Sequence, residues 1–503
     1  MHRLAAATGF LLAVAVLLWC MATISAWVTR GQLSHDAQAT WTTLRQGQPL
    51  WSWTLRQPAD VVARRVFGSA ILANRSEGLE FTSPDGSPFE VGLPLAAPVD
   101  LAHWPWLQLR LHGSATGSLG LSYQTTEHGL RCDADDAATL APGSAEPRID
   151  LRSLRWRSAD GTTCPPPGAV MYLLRLRLQI PAHASLQIGE ASLLATTPIR
   201  LPEHIAVDAA DIHLPLALED GRRALAAPGD WSAPVVRLPA HASAEAMLIL
   251  RDLALERWPA AVVLPFGQPL QSAGGSPWPL WLDWLALVLY LVALVWLLRR
   301  QTVEIQHPWL EVAAIAAGPL WLIAGLRWGS QASIPGVVAF VAALTYAGIS
   351  EWRRRPTYWS WLPQRRAEWW WPLLPLPVAF ALTLLDGHGL THLPWAHVAA
   401  YFGWALLQQW AMLAIVMGRL QHTRLPRPVI ILLTAGLFAL LHTPNGTLMQ
   451  LCLLAELWWA WCFMRAPRLV PIAVAHALSA LLVESALTGH LLRSLEVGAR
   501  FFL

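Results

Sequence analysis

Charge is what this chain has least of: 14% of its 503 residues are Asp, Glu, Lys or Arg, and the net charge is +3. With 54% hydrophobic residues, so little charge excludes one ordinary soluble domain of this length. The arginines are scattered or gathered at the ends of apolar runs. That pattern belongs to membrane topology and excludes a basic nucleic-acid surface, so no nucleic-acid partner is expected. Cysteine is scarce too. Of five, Cys20, Cys452 and Cys462 lie in apolar segments, and only Cys132 and Cys164 lie in polar sequence. No metal-type cysteine spacing is present, and the sequence calls for no cofactor. Tryptophan, by contrast, is abundant, with 29 residues. Many stand at the ends of apolar runs, such as Trp278, Trp281 and Trp369-Trp370-Trp371, where indoles favour the bilayer interface.

The apolar runs set the architecture. Residues 4–28, preceded by His2 and Arg3, are long enough to span a bilayer and read as an uncleaved anchor within residues 1–30. Positive charge at its start places residues 31–275 on the exported side. After the linker Ser272-Ala273-Gly274-Gly275-Ser276-Pro277, apolar segments recur at 279–298, 309–327, 333–351, 372–387, 395–417, 428–442, 446–464 and 469–487. Arg299-Arg300, Arg353-Arg354-Arg355 with Arg365-Arg366, Arg419 with Arg424 and Arg427, and Arg465 with Arg468 mark alternate loops, consistent with one cytoplasmic side. The triple arginine reads as an anchor touching lipid phosphates. About nine spans are expected, in a bacterial inner membrane. Residues 276–368 and 369–490 form the helical part and 491–503 a tail.

The exported region reads as mainly β. Leu107-Gln108-Leu109-Arg110-Leu111-His112 and Leu173-Leu174-Arg175-Leu176-Arg177-Leu178-Gln179-Ile180 alternate with the period of a strand buried on one face. Ser83-Pro84-Asp85-Gly86, residues 113–117 and Asp160-Gly161 mark turns, so a sandwich is expected. The run 175–193, with its turn at 181–185, resembles the closing hairpin of a carbohydrate-binding-type jelly roll. A glycan or an envelope protein is the partner such a domain implies. Residues 200–270 are less regular and read as extra strands or a second small lobe. Cys132 and Cys164 are read most economically as one disulfide in an oxidising compartment, the alternative being two free thiols.

Polar side chains inside apolar segments are costly and face a bundle interior or a site. Gln408-Gln409, His442, Glu456 and His476 are such residues, and Glu484 follows His476 on about the same helix face. Phe438-x-x-x-His442 sets a ring and an imidazole on one face, within Leu437-Phe438-Ala439-Leu440-Leu441-His442-Thr443-Pro444-Asn445. Single residues of this kind also serve as hydrogen bonders between helices.

In motif order, residues 370–490 resemble the CAAX-protease and bacteriocin-processing intramembrane endopeptidases, also called the abortive-infection or type II CAAX prenyl endopeptidase family. That family carries Glu-Glu-x-x-x-Arg, then Phe-x-x-x-His, then His-x-x-x-Asn or Asp, each on its own helix. Here the second motif is intact, supported by Asn445. The third keeps His476 but ends in Ala480. In the first, Gln408 and Gln409 replace both glutamates and Leu413 the arginine. The resemblance implies a glutamate that activates water and histidines that hold the water or the oxyanion. An amide keeps the shape of that glutamate but cannot accept the proton. A degenerate site that binds a membrane-embedded peptide or protein is therefore the leading expectation, with Gln408 and Gln409 able to bond a peptide backbone. The alternative is an endopeptidase with Glu456 or Glu484 as a relocated base, and a third is an envelope-polymer assembly or transport factor. Asp386, His388, His392 and His397 are spaced as metal ligands sometimes are, without a recognisable motif, and read as a solvated loop.

Overall fold

A computed structural model describes residues 2–95, 99–124, 129–165, 171, 173–197, 199, 201–226, 231–271, 279, 281–302, 304–324, 333–355, 358–386, 389–489 and 492–502. The expected linker at 272–277, with Trp278 and His388, lies outside the described residues. The chain divides into two compact units: a helical one of residues 1–32, 242–248 and 274–503, and a β-rich one of residues 33–241 and 249–273.

The β-rich unit is built on two antiparallel sheets. One orders Ile71–Arg75, Gly78–Thr82, Ser185–Leu194, Trp106–Gly113 and Gly143–Ala145, with Ser52–Thr54 and Arg148–Asp150 paired alongside. The other orders Arg157–Ser158, Cys132–Leu140, Gly117–Gln124, Leu173–Gln179 and Phe89–Leu93. Alternation decides which side chains meet: Leu107, Leu109 and Leu111 from one sheet and Leu174, Leu176 and Leu178 from the other are buried in one core.

The expected hairpin over 175–193 is not formed. Leu173–Gln179 pairs with Gly117–Gln124 and Phe89–Leu93, whereas Ser185–Leu194 pairs with Trp106–Gly113 and Gly78–Thr82. The turn between them crosses from sheet to sheet, with His183 at φ 64°. Both strands carry an apolar face, and facing each other across the sandwich buries both.

A second difference lies at the start. The first helix, His2–Arg45, runs beyond the expected anchor, and the first strand starts only at Ser52. Leu33, Ala37, Trp41 and Leu44 recur at helical spacing, and the last three join the sandwich core. Residues 201–271 hold a small parallel sheet of Ile212–His213, Val235–Arg237 and Val262–Leu264, with the helices Leu218–Leu225 and Ala244–Arg257 in the connections. Buried Arg237 clamps its loops, donating to the carbonyls of Ala206, Ala209, Pro265 and Gln268.

Cys132 and Cys164 form a disulfide that closes a loop 32 residues apart in sequence. Loss of loop-closure entropy in the unfolded chain accounts for about 3–4 kcal/mol at this length. The double substitution Cys132→Ala/Cys164→Ala is expected to lower the unfolding free energy of the β-rich unit by about that amount. Trp156, whose carbonyl accepts from the Cys164 amide, is a fluorescence reporter for denaturant titration. Nearby, Glu90 accepts from Arg131 and Arg175. Burial pulls its pKa up, but the two guanidinium groups outweigh burial and hold it below the usual value. A depressed folded-state pKa gives stability that is present above the unfolded value, near 4.3, and is lost as pH falls through the folded one. Glu90→Gln is expected to flatten that acid limb in a denaturation series from pH 6 down to about pH 3.

Among the described residues, seven helices of the chain are long and apolar enough to cross a membrane: Ala5–Arg45, Trp281–Arg299, Ile334–Arg354, Ala367–Asp386, Trp395–Leu420, Gly446–Arg465 and Leu469–Leu487. Pro308–Ala324 and Arg427–Leu440 are apolar but shorter. Gly318 lets two of these helices touch, because a Cβ there would stand 2.5 Å from the Ala339 carbonyl oxygen and from the Ala343 Cβ.

That contact accompanies a buried charge network. Both Glu311 oxygens accept from Arg354, at 2.6 and 2.7 Å, and Arg419 Nε donates to the same carboxylate at 2.9 Å. Arg419 Nη2 lies 2.7 Å from Glu351 Oε1, an ion pair by distance whose angles fall outside hydrogen-bond geometry. Ser350 Oγ accepts from both arginines. Arg354 thus departs from its sequence reading: it is not a lipid-facing anchor, since the Glu311 carboxylate offers far more than a phosphate surface to a buried guanidinium.

Candidate functional site

The Trp395–Leu420 helix changes to a π-helical stretch over Trp410–Met417, directly after Gln409. Such wide turns recur at functional sites because they re-aim the side chains around them. Gln409 is fully buried. Its Nε2 donates to Glu456 Oε2 at 2.9 Å and lies 3.2 Å from His476 Nδ1. Three helices therefore contribute one polar chain.

His442 follows the Arg427–Leu440 helix in a turn. Its Nδ1 lies 2.9 Å from the Phe438 carbonyl oxygen, the i−4 position that the motif spacing provides. The Phe438 ring packs edge-on against both imidazoles, with centroids 4.9 Å from His442 and 5.6 Å from His476. Trp459 lies 5.0 Å from His476. Phe438 thus touches both histidines. Asn445 has a different place: its Oδ1 caps the Gly446–Arg465 helix at Leu448 N, and its Nδ2 donates to the carbonyls of Ser494 and Glu496.

His442, His476 and Gln408 line a cavity of about 1040 Å³ whose other walls are mostly apolar, with Tyr401, Cys452 and Trp459 among them. Gln409 and Glu456 stand behind that wall and are not part of the lining. Buried polar atoms without a partner gather here: Gln408 Oε1, Gln409 Oε1, Glu456 Oε1 and Ser479 Oγ. Glu484 also lines the cavity, but its carboxylate pairs with His397 Nε2 at 3.0 Å. Eight residues of helix separate it from His476, about 12 Å of rise. Leu413 is buried and apolar.

Among the described residues, no group of three or more His, Cys, Asp or Glu is placed to hold a metal ion. His392 Nδ1 bonds the neighbouring Leu393 carbonyl, and His397 is taken by Glu484. The residues that sequence reasoning missed are Glu311 and Glu351. An acid inside an apolar segment was the available signal for Glu311.

These elements define a multi-span membrane protein with a separate β-sheet-rich domain. Residues 390–482 match the family model "Type II CAAX prenyl endopeptidase Rce1-like", so the resemblance read from the motifs holds for this segment. The match contains Gln408, Gln409, Phe438, His442, Glu456 and His476 and ends before Glu484. No curated protein matches the chain. Among solved structures, the family 11 carbohydrate-binding module of cellulosomal cellulase Lic26A-Cel5E of Clostridium thermocellum is similar at 11% identity and TM-score 0.20, over 26% of this chain and 82% of that one. The N-terminal cellulose-binding domain of Cellulomonas fimi β-1,4-glucanase C is similar at 16% identity and TM-score 0.17, over 27% and 89%.

Proposed function

We propose that the helical unit is a membrane-embedded binding module, related to the Rce1-like endopeptidases, that holds a peptide or transmembrane segment of a partner without hydrolysing it. One observation carries this reading. The carboxylate nearest the two histidines, Glu456, sits behind Gln409 and outside the cavity lining. A general base must reach the proton it takes, directly or through one water, and the group in that path is an amide. Gln408 and Ser479 add unpaired polar atoms to a mostly apolar cavity, which suits an apolar segment with a few polar backbone groups.

Native protein in liposomes is expected to leave membrane-embedded quenched-fluorophore peptides intact, and a benzophenone side chain at position 480, on the cavity wall, is expected to cross-link to them. Specific cleavage that disappears in His442→Ala overturns the reading. A peptidase using Glu456 is the second reading, favoured by the unpartnered Glu456 Oε1. It requires cleavage by the native protein and a loss of about 10²–10⁴-fold in Glu456→Gln.

The β-rich unit belongs, in this proposal, on the exported side of a bacterial inner membrane, where it meets a glycan or an envelope protein. The disulfide supports an oxidising compartment, and the arginine-marked alternate loops support the orientation. A reporter fused near residue 200 that is active only in the cytoplasm contradicts this topology.

A further inference from the structure

We propose that Gln409, oriented by Glu456, fixes the tautomer of His476, so that His476 and His442 offer the cavity one donor and one acceptor and select a neutral ligand group that both donates and accepts, the backbone amide. The amide as ligand rests on the peptide-binding reading above; the tautomer does not.

The Gln409 amide turns its NH2 end to Glu456, donating to Oε2 at 2.9 Å. Its second hydrogen is directed at His476 Nδ1, 3.2 Å from the same nitrogen. A ring nitrogen that receives a hydrogen bond carries no proton, so the His476 proton sits on Nε2. At His442 the partner is reversed. The Phe438 carbonyl can only accept, at 2.9 Å from Nδ1, so Nδ1 holds the proton and Nε2 keeps a lone pair.

Both rings line the cavity, and no described protein group bonds either Nε2. The cavity therefore meets its ligand with an N–H from His476 and an acceptor from His442. An amide answers both, its carbonyl to His476 and its N–H to His442. A carboxylate has nothing to donate to His442 and an ammonium nothing to accept from His476. Leaving a buried polar group unpaired is costly, so both mismatched ligands are disfavoured. Glu456 is then a positioning residue. A glutamate at position 409 would reverse the device, because a carboxylate there accepts from Nδ1–H and moves the His476 proton off Nε2.

The test is nitrogen NMR on full-length protein carrying ¹⁵N-histidine in lipid nanodiscs, where protonated and bare ring nitrogens resolve. Native protein is expected to show His476 protonated at Nε2 only and His442 at Nδ1 only. In Gln409→Glu/Glu456→Gln, His476 is expected to invert while His442 stays. If that variant fails to fold, Glu456→Gln alone puts an amide that both donates and accepts opposite Gln409, and His476 is expected to show both tautomers. N-methylacetamide, the probe for an amide, is expected to shift both Nε2 signals. N,N-dimethylacetamide, which has no N–H, is expected to shift that of His476 only. Native His476 protonated at Nδ1, or a His476 signal indifferent to both variants, overturns the tautomer assignment. Equal shifts with the two probes overturn the ligand selection. None of these signals requires a bound peptide, so peptide cleavage by the native protein sinks the functional reading while leaving the tautomer result standing.

Discussion

Arg419→Leu is expected to destabilise the helical unit by about 3–5 kcal/mol, among the largest effects of any single substitution in it. Arg419 is buried and holds two carboxylates: Glu311, which it shares with Arg354, and Glu351, for which it is the ion-pair partner. Removing it leaves Glu351 as a buried charge with no counter-ion, and this residual charge supplies most of the cost. The contrast is Arg419→Leu/Glu351→Leu. It removes one charge of each sign and leaves Glu311 with the bidentate grip of Arg354. The double variant is expected to recover more than half of the loss, since apolar replacements of a buried pair are often neutral. Melting curves in detergent, followed by size-exclusion chromatography, measure both. A double variant no more stable than Arg419→Leu rules out the unpaired Glu351 charge as the source.

That network also shows where the sequence stops being legible. Arg353, Arg354 and Arg355 look alike in a chain whose span ends are marked by arginine. On a helix, successive residues point about 100° apart, so only one of them turns onto the Pro308–Ala324 helix, and its partner Glu311 lies 43 residues away. The order Gln408-Gln409, Phe438…His442 and His476 was readable because local spacing sets it. That Gln409 touches Glu456 was not, since the contact depends on which face of the Gly446–Arg465 helix turns inward. In the β-rich unit, alternation identified Trp106–Gly113 and Leu173–Gln179 as strands. Alternation says which face is buried and not which strand is the neighbour, and so the supposed hairpin is instead a crossing between sheets. The helical stretch 31–45 lay past the apolar run, in a stripe of Leu33, Ala37, Trp41 and Leu44 too sparse to register as a span.

Gln409→Glu is expected to lower stability by about 3–4 kcal/mol, because it sets a second carboxylate against Glu456. Like charges about 4 Å apart repel by roughly 4 kcal/mol at an effective dielectric of 20, and the native contact they replace is 2.9 Å long. No described arginine reaches this pair; Arg419 is committed elsewhere. Glu456→Gln alone is expected to cost about 1 kcal/mol, the difference between a charged and a neutral acceptor for the Gln409 amide. The exchange Gln409→Glu/Glu456→Gln restores one carboxylate and one amide in contact and is expected to lie within about 1 kcal/mol of the native protein. The cycle then yields a coupling of about 3–5 kcal/mol, far above the few tenths seen for independent sites. Additive single effects would mean that the two side chains do not share the contact that joins the first motif to the helix between the two histidines. The same exchange carries a chemical consequence. It moves the only carboxylate of this polar chain from behind the amide to position 409, beside His476, where the family resemblance places a general base. If geometry alone keeps the native protein silent, the exchanged protein is the variant in which peptide cleavage should first be detected, and His442→Ala in that background should abolish it.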